Sequence, residues 1–153
     1  MLVKVYGAAV QGVDATIVTI EVNTSRGIKF FLVGLPDAAV KESSERIRAA
    51  LLNTGYKFPR NQITVNMAPA DIRKEGSAYD LPIAIGILAA GDVVTTEKLS
   101  RYLIMGELGL DGNLLPSRRE SWVMRASFFP IRMPAKQLWS TILTCMVWTT
   151  SCR

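Results

Sequence analysis

Residues 2–34 read LVKVYGAAVQGVDATIVTIEVNTSRGIKFFLVG, and this stretch decides the fold. Alternating and β-branched residues predict strands at 2–9, 13–23 and 28–34. The connections between them are short and contain Gly, Asn and Ser, which is typical of tight turns. The sequence therefore predicts that the chain opens as an antiparallel meander.

The spacing of the apolar residues changes after this stretch. Asp37 is predicted to be the N-cap of a helix, because a short acceptor side chain can satisfy free amides of the first turn. Asn53-Thr54-Gly55 predicts where the helix ends. One face of this helix is apolar and holds Val40, Ile47, Ala50 and Leu51. The charged residues Lys41, Glu42, Glu45, Arg46 and Arg48 lie mostly on the other face, which indicates an amphipathic surface helix.

A fourth strand is predicted at 62–67, followed by a polar loop at 68–79. Asp80, predicted to be a second cap, begins LPIAIGILAAG, and a helix that is apolar on most sides is a buried one. A further strand at 102–110 and a turn at 111–112 predict a hairpin. Together these elements predict an α+β domain that has a mixed or mostly antiparallel sheet and two main helices.

The chain changes composition at Pro116. Residues 1–116 hold 12 Lys and Arg against 12 Asp and Glu, whereas residues 117–153 hold 6 against 1, which is the whole net charge of +5. All eleven glycines precede Pro116 and all three tryptophans follow it. We therefore predict a domain at 1–116 and a separate tail at 117–153. The neutral body argues against a large electrostatic affinity for nucleic acid.

Several kinds of site are excluded by what the sequence lacks. No G-x-x-x-x-G-K-[ST] loop occurs, so no ATP site is predicted in these 153 residues. The absence of histidine excludes His-dependent triads, and Cys145 and Cys152 alone make no metal site. There is no signal-peptide pattern, and the most apolar window, residues 81–90, is far shorter than the ~20 residues of a membrane span. We expect a cytoplasmic protein with no metal, membrane or small-molecule partner.

One segment has catalytic interest, the sequence RKEGSAYD at 73–80. Ser77 stands beside a glycine just before the buried helix, where a serine can act as a nucleophile. Without histidine, its base would have to be a lysine. The alternative is that Ser77 or Asp80 simply caps the helix, a role that favours both residue types.

Three blocks of the sequence, in order and with matching spacing, closely resemble the start of the Mg-chelatase-related AAA+ ATPases of the ComM/YifB group. They lie at residues 5–59, at 63–90 (ITVNMAPADIRKEGSAYDLPIAIGILAA) and at 105–116 (MGELGLDGNLLP). The resemblance implies a Lon-protease-like fold of the ribosomal protein S5 domain 2 type. It also implies a following AAA+ module that binds ATP and Mg²⁺, usually forms a hexamer and, in the ComM branch, is associated with DNA branch migration during natural transformation.

The more distant Lon peptidases indicate whether this domain is catalytic. Their nucleophile lies in a stretch like K-D-G-P-S-A, which residues 74–78 resemble with one residue fewer, so Ser77 falls on the nucleophile only across that gap. Their catalytic lysine would follow Pro116, where this sequence departs from the family. The resemblance thus favours a non-catalytic scaffold or assembly domain. The alternatives are a degenerate Ser-Lys peptidase and a DNA-binding accessory module that uses Arg73 and Lys74.

The tail after Pro116 is interpreted as the product of a frameshift that truncates the domain and removes the ATPase module. In the shifted frame, each codon consists of the last base of one codon and the first two bases of the next. Across residues 145–149 this frame must encode [Tyr/His]-Gly-[Val/Leu/Met]-Asp, which fits the family's Tyr-Gly-Val-Asp. Met133 and Pro134 likewise force alanine, as the family pattern allows. The alternative is a natural, divergent ending.

Overall fold

The computed structural model describes residues 1–11 and 14–115, so the predicted tail at 117–153 lies outside the described residues. The strands are β1 (Leu2–Gln11), β2 (Asp14–Ser25), β3 (Phe30–Val33), β4 (Gln62–Ala68), β5 (Glu107–Leu108) and β6 (Leu114–Leu115). The α-helices are α1 (Ala38–Lys41), α2 (Ser43–Asn53) and α3 (Asp80–Ala90). Single turns of 3₁₀ helix lie at Ser77–Tyr79 and Leu99–Arg101.

Four strands form a mixed sheet in the order β1-β2-β4-β3. β1 pairs antiparallel with β2, β2 pairs antiparallel with β4, and β3 pairs parallel with β4. The predicted α+β class, with a mixed sheet and two main helices, is therefore confirmed.

The predicted meander is wrong at its third strand, because β4 lies between β2 and β3. Burial explains the order. Residues Ile63, Val65 and Met67 of β4 are buried, and the strand is long enough to pair with neighbours on both sides. The four-residue β3 leaves Phe31 and Val33 exposed and forms the sheet edge. A short strand at an edge leaves few unpaired backbone groups open to other chains.

The first predicted helix begins and ends where the sequence indicates. The Asp37 carboxylate accepts a hydrogen bond from the Val40 amide at 2.8 Å, which confirms the N-cap. The helix ends at Asn53, and Gly55 follows with φ of 86°. The structure differs in the middle, where Glu42 separates α1 from α2.

The predicted buried helix is confirmed, since every residue of α3 is buried. It packs on β1 and β2, and α2 packs on α3. Gly86 allows α3 to approach β2 this closely, because a β-carbon at position 86 would lie only 2.5 Å from Val22 Cγ2. The core between this sheet face and the two helices includes Val5, Ile20, Val65, Ile47, Leu51 and Ile83.

The predicted strand at 102–110 forms only in pieces. Leu103 makes a single parallel bridge to Tyr6 on the outer edge of β1, and the chain then turns into the β5–β6 hairpin. Gly106 redirects the chain: its amide donates to the Ala78 carbonyl at 2.7 Å, and its carbonyl accepts from the Leu81 amide. The hairpin is therefore fixed to the start of α3 instead of extending the sheet.

Candidate functional site

The loop with catalytic interest ends in the 3₁₀ turn that leads into α3. Ser77 opens this turn and is half-buried. Within residues 1–11 and 14–115, its hydroxyl makes no hydrogen bond to a lysine or to any other base. The geometry thus places a serine at the predicted position but brings no proton acceptor to it.

Lys74, three residues earlier, is fully buried and is committed elsewhere. Its ammonium donates to the carbonyl of Pro69. Its backbone bridges to the segment before α1, with the Asp37 amide donating to the Lys74 carbonyl at 3.0 Å. Lys74 therefore holds the loop against the start of the first helix.

The structure corrects one part of the alternative in which Arg73 and Lys74 contact DNA. Lys74 is inaccessible because it anchors the loop. Arg73 is exposed, but its guanidinium pairs with Glu75 at 3.2 Å. The correction therefore applies to Lys74, whereas Arg73, with 66% of its side chain exposed, stays accessible.

Helix capping by Ser77 or Asp80 is also corrected. Tyr79 occupies the N-cap position of α3, and Gly76 occupies that of the 3₁₀ turn, both without a side-chain cap. The amides at this helix start are satisfied by backbone: Asp80 donates to the Ser77 carbonyl, and Leu81 donates to the Gly106 carbonyl at 3.0 Å. A side-chain cap is therefore not needed.

Asp80 instead forms a buried ion pair with Arg46. The Arg46 Nε lies 2.7 Å from Asp80 Oδ2, and Nη2 lies 2.9 Å from Oδ1, so the contact is bidentate. The Asp80 side chain is 1% exposed and that of Arg46 is 21% exposed. Such fork-to-fork pairs combine charge with a fixed geometry.

This pair connects several elements, and we call Arg46, Asp80 and their backbone partners Ala39 and Leu108 the Arg46–Asp80 junction. Arg46 Nη2 donates to the Ala39 carbonyl of α1 at 2.8 Å, and the Leu108 amide of β5 donates to Asp80 Oδ2 at 3.4 Å. The hydrogen bond to Asp80 raises the pKa of Arg46, so its charge persists. The junction thus joins both halves of the first helix, the buried helix and the hairpin.

Two further contacts fix the loop. Asp37, besides capping α1, accepts a hydrogen bond from the Gly76 amide at 3.1 Å. The Tyr79 hydroxyl donates to the Ala8 carbonyl of β1 at 3.1 Å. Burial raises the pKa of Tyr79 to about 12, so this hydroxyl keeps its proton at neutral pH. The polar side chains of the loop region therefore connect secondary-structure elements.

Arg46 was predicted to lie on the charged, exposed face of the helix, but its side chain is only 21% exposed, and a signal of this was present. Arg46 lies three residues after Ser43 and four before Ala50, so all three share one side of α2. Ser43 and Ala50 are both fully buried. An arginine between two small residues on a buried face indicates a buried partner, and Asp80, before an all-apolar helix, was the available carboxylate.

The described residues hold no group of three or more Asp, Glu, His or Cys side chains that could bind a metal ion. Among the helices of this part of the chain, none is long and apolar enough to cross a membrane. ATP and Mg²⁺, implied for a following module, have no matching loop in the 153 residues.

Lys74 provides a testable pH dependence of stability. Burial lowers its pKa below the ordinary 10.5, so between the folded and unfolded pKa values the unfolded chain binds more protons. The free energy of unfolding should therefore rise as the pH increases through the interval between the lowered folded pKa and the ordinary 10.5. Urea unfolding at about pH 7.5 and about pH 9.5 should show this rise in the natural chain and lose it in Lys74→Met. The exposed-lysine variant Lys41→Met should keep the rise, and an equal rise in all three would contradict the assignment.

Comparison with known proteins places the chain in a family. Residues 20–126 match the family described as subunit ChlI of Mg-chelatase, and the chain belongs to that family. Within it, the chain fits the ComM/YifB group. It is 52% identical to competence protein ComM of Haemophilus influenzae over 114 residues, and 49% identical to the uncharacterized protein YifB of Escherichia coli over 111 residues.

These matches concern only one part of the relatives. They cover 74% of this chain for ComM and 72% for YifB, but 22% of each relative. The chain therefore spans about a fifth of the length of the curated relatives it matches. The predicted resemblance to the ComM/YifB group is therefore confirmed for the matched part of the chain.

Proposed function

We propose that this chain is a non-catalytic N-terminal domain of a ComM/YifB-like AAA+ ATPase, and that it acts as a scaffold within a DNA-processing machine. The proposal rests on one observation: the polar side chains in and around the loop at 68–79 bind other parts of the fold. Asp80 is bound by Arg46, Lys74 donates to a backbone carbonyl, and Asp37 binds two backbone amides. These side chains connect elements, and none of their hydrogen bonds is to Ser77.

The partners follow from the family. The domain would contact an AAA+ module that binds ATP and Mg²⁺, assemble into a hexamer through that module, and reach DNA through the assembly. A role in DNA processing is supported by the 52% identity to a protein named for competence. Such a protein would work in the cytoplasm, and no small-molecule substrate is proposed for this domain.

The tail is part of the same proposal. Residues 117–153 carry six basic residues and one acidic residue and contain no glycine. In the shifted reading frame, the codons of residues 145–149 must encode Gly and Asp at two positions. We expect these residues to be out-of-frame sequence, which explains why their composition differs from that of residues 1–116.

A degenerate Ser-Lys peptidase is the alternative that is simplest to test. A serine without a base stays protonated and is a poor nucleophile. Incubation of the natural chain with a fluorophosphonate probe should therefore leave Ser77 unlabelled, and casein should stay intact. Ser77→Ala should behave identically, because no activity depends on this hydroxyl. Labelling that Ser77→Ala abolishes would contradict the proposal and favour the peptidase.

A further inference from the structure

The charges of the neutral body are unevenly distributed, and one end of the sheet is basic. Arg26 follows β2, Lys29 precedes β3 and Arg60 precedes β4. Ser25 is opposite Gln62 and Phe30 is opposite Ile63, so the three basic residues meet at the same end of three adjacent strands. The ammonium of Met1 donates to the Thr24 carbonyl at 3.2 Å and adds a fourth positive charge there. We call Arg26, Lys29, Arg60 and this ammonium the basic end.

Few carboxylates neutralise the basic end. The segments that build it, residues 22–36 and 54–67, contain neither Asp nor Glu. Glu21 is engaged by Lys4 at 3.2 Å and by Asn66 at 3.0 Å, and Asp92 follows Gly91, whose position lies close to the Pro59 ring. Within the described part of the chain, none of the three basic side chains forms an ion pair, and all three are exposed.

The sheet face beside the basic end carries an exposed aromatic ring. On the side away from the helices, Leu2, Asn23, Thr64 and Phe31 form a row across all four strands. Phe31 is 42% exposed, and Ile28 in the adjoining turn is 87% exposed. Asn23 and Thr64 add an amide and a hydroxyl to the row. The surface therefore combines unpaired cations, an aromatic platform and hydrogen-bonding groups.

We infer that this surface binds single-stranded nucleic acid, with phosphates along the basic end and a base stacked on Phe31. Cations that follow a backbone beside an aromatic ring on a sheet are the elements of single-strand recognition. Double-stranded nucleic acid keeps its bases stacked and would leave Phe31 unused, and a lipid surface would use the cations without the amide and hydroxyl. The inference goes beyond the proposed function, because it assigns a ligand to this domain by itself and does not depend on an ATPase module.

The test is fluorescence anisotropy of a labelled oligo(dT) of about 15 nucleotides with the full chain, at several salt concentrations. The double variant Arg26→Ala/Arg60→Ala should bind about tenfold or more weakly at low salt. Its slope of log affinity against log salt should fall by about 1.4, which corresponds to two lost phosphate contacts on a single strand. The matched double variant Lys41→Ala/Arg73→Ala removes the same charge elsewhere and should bind within about twofold of the natural chain.

Phe31→Leu tests the stacking separately from the charge. It should weaken binding of oligo(dT) about fivefold or more while leaving the salt slope unchanged, because it removes a stacked base and no phosphate contact. Thermal melts of all variants should match the natural chain, since the substituted side chains are exposed. The inference is overturned by absent binding, by equal losses in the two charge variants, or by tighter binding to duplex or to anionic vesicles. Any of these results leaves the family assignment and the proposed non-catalytic role untouched.

Discussion

Replacing Asp80 with alanine is expected to lower the free energy of unfolding by about 3–5 kcal/mol, because it leaves Arg46 largely buried without its counter-charge. The substitution also removes the acceptor for the Leu108 amide, and so weakens the attachment of the hairpin to α3. Urea unfolding followed by circular dichroism measures the loss.

Two controls separate the buried pair from general charge effects. Glu42 lies 3.8 Å from the same guanidinium but is 74% exposed, so Glu42→Ala should cost no more than about 0.5 kcal/mol. The double replacement Arg46→Met/Asp80→Leu should recover most of the stability, since an apolar pair carries no desolvation penalty. An Asp80→Ala loss no larger than that of Glu42→Ala would show that the junction does not organise the domain.

Gly34→Ala is expected to cost several kcal/mol and to prevent β3 from docking on β4. Gly34 has φ of 100°, which disfavours any other residue. A β-carbon at this position would lie 2.1 Å from the Met67 carbonyl oxygen, which is backbone and cannot rotate away. The strain of the backbone alone is worth about 1–3 kcal/mol, and the clash adds to it.

Gly55 supplies the matched control for this effect. Its φ is 86°, but a β-carbon there would meet nothing within 4 Å. Gly55→Ala should therefore show only the conformational cost, about 1–2 kcal/mol. Equal losses for the two variants, measured by the same unfolding experiment, would mean that the contact between Gly34 and Met67 is not closely packed.

Local patterns predicted the elements well because each depends on neighbouring residues. The Asp37 cap, the helix end before Gly55 and the burial of α3 all follow from spacing within one turn or one helix. Strand order does not have this property. That β4 inserts beside β2 depends on which strand buries more apolar surface in the assembled sheet, and this is not a property of either strand alone.

The polar residues were harder to place for the same reason. Asp80 satisfies every local rule for a helix cap, yet its backbone neighbours already supply the hydrogen bonds and Arg46 supplies the charge. Lys74, assigned to a solvated loop, is instead buried beneath it. For Asp80 a long-range partner determined the role, and only a joint interpretation of α2 and α3 could have identified it. Lys74 instead donates to Pro69, five residues away, and its backbone bridges to Pro36 before α1.

The neutral charge of the body shows a related limit. A count of residues 1–116 balances exactly, which argued against an electrostatic surface. The count averages the charge over the whole domain, whereas the fold concentrates positive charge at one place. The ends of β2, β3 and β4 bring Arg26, Lys29 and Arg60 together. Net charge therefore describes this domain less well than the distribution of its charges.

The most direct test of the proposed origin and role is the nucleotide sequence of the gene from the codon of Gly106 to well beyond that of Arg153. We predict that a second reading frame encodes Tyr-Gly-Val-Asp opposite residues 145–149 and continues into a G-x-x-x-x-G-K-[ST] motif, as an ATPase module requires. A gene in which no alternative frame remains open, and no such motif follows, would contradict the account. Residues 117–153 would then be sequence that the gene encodes in frame with residues 1–116.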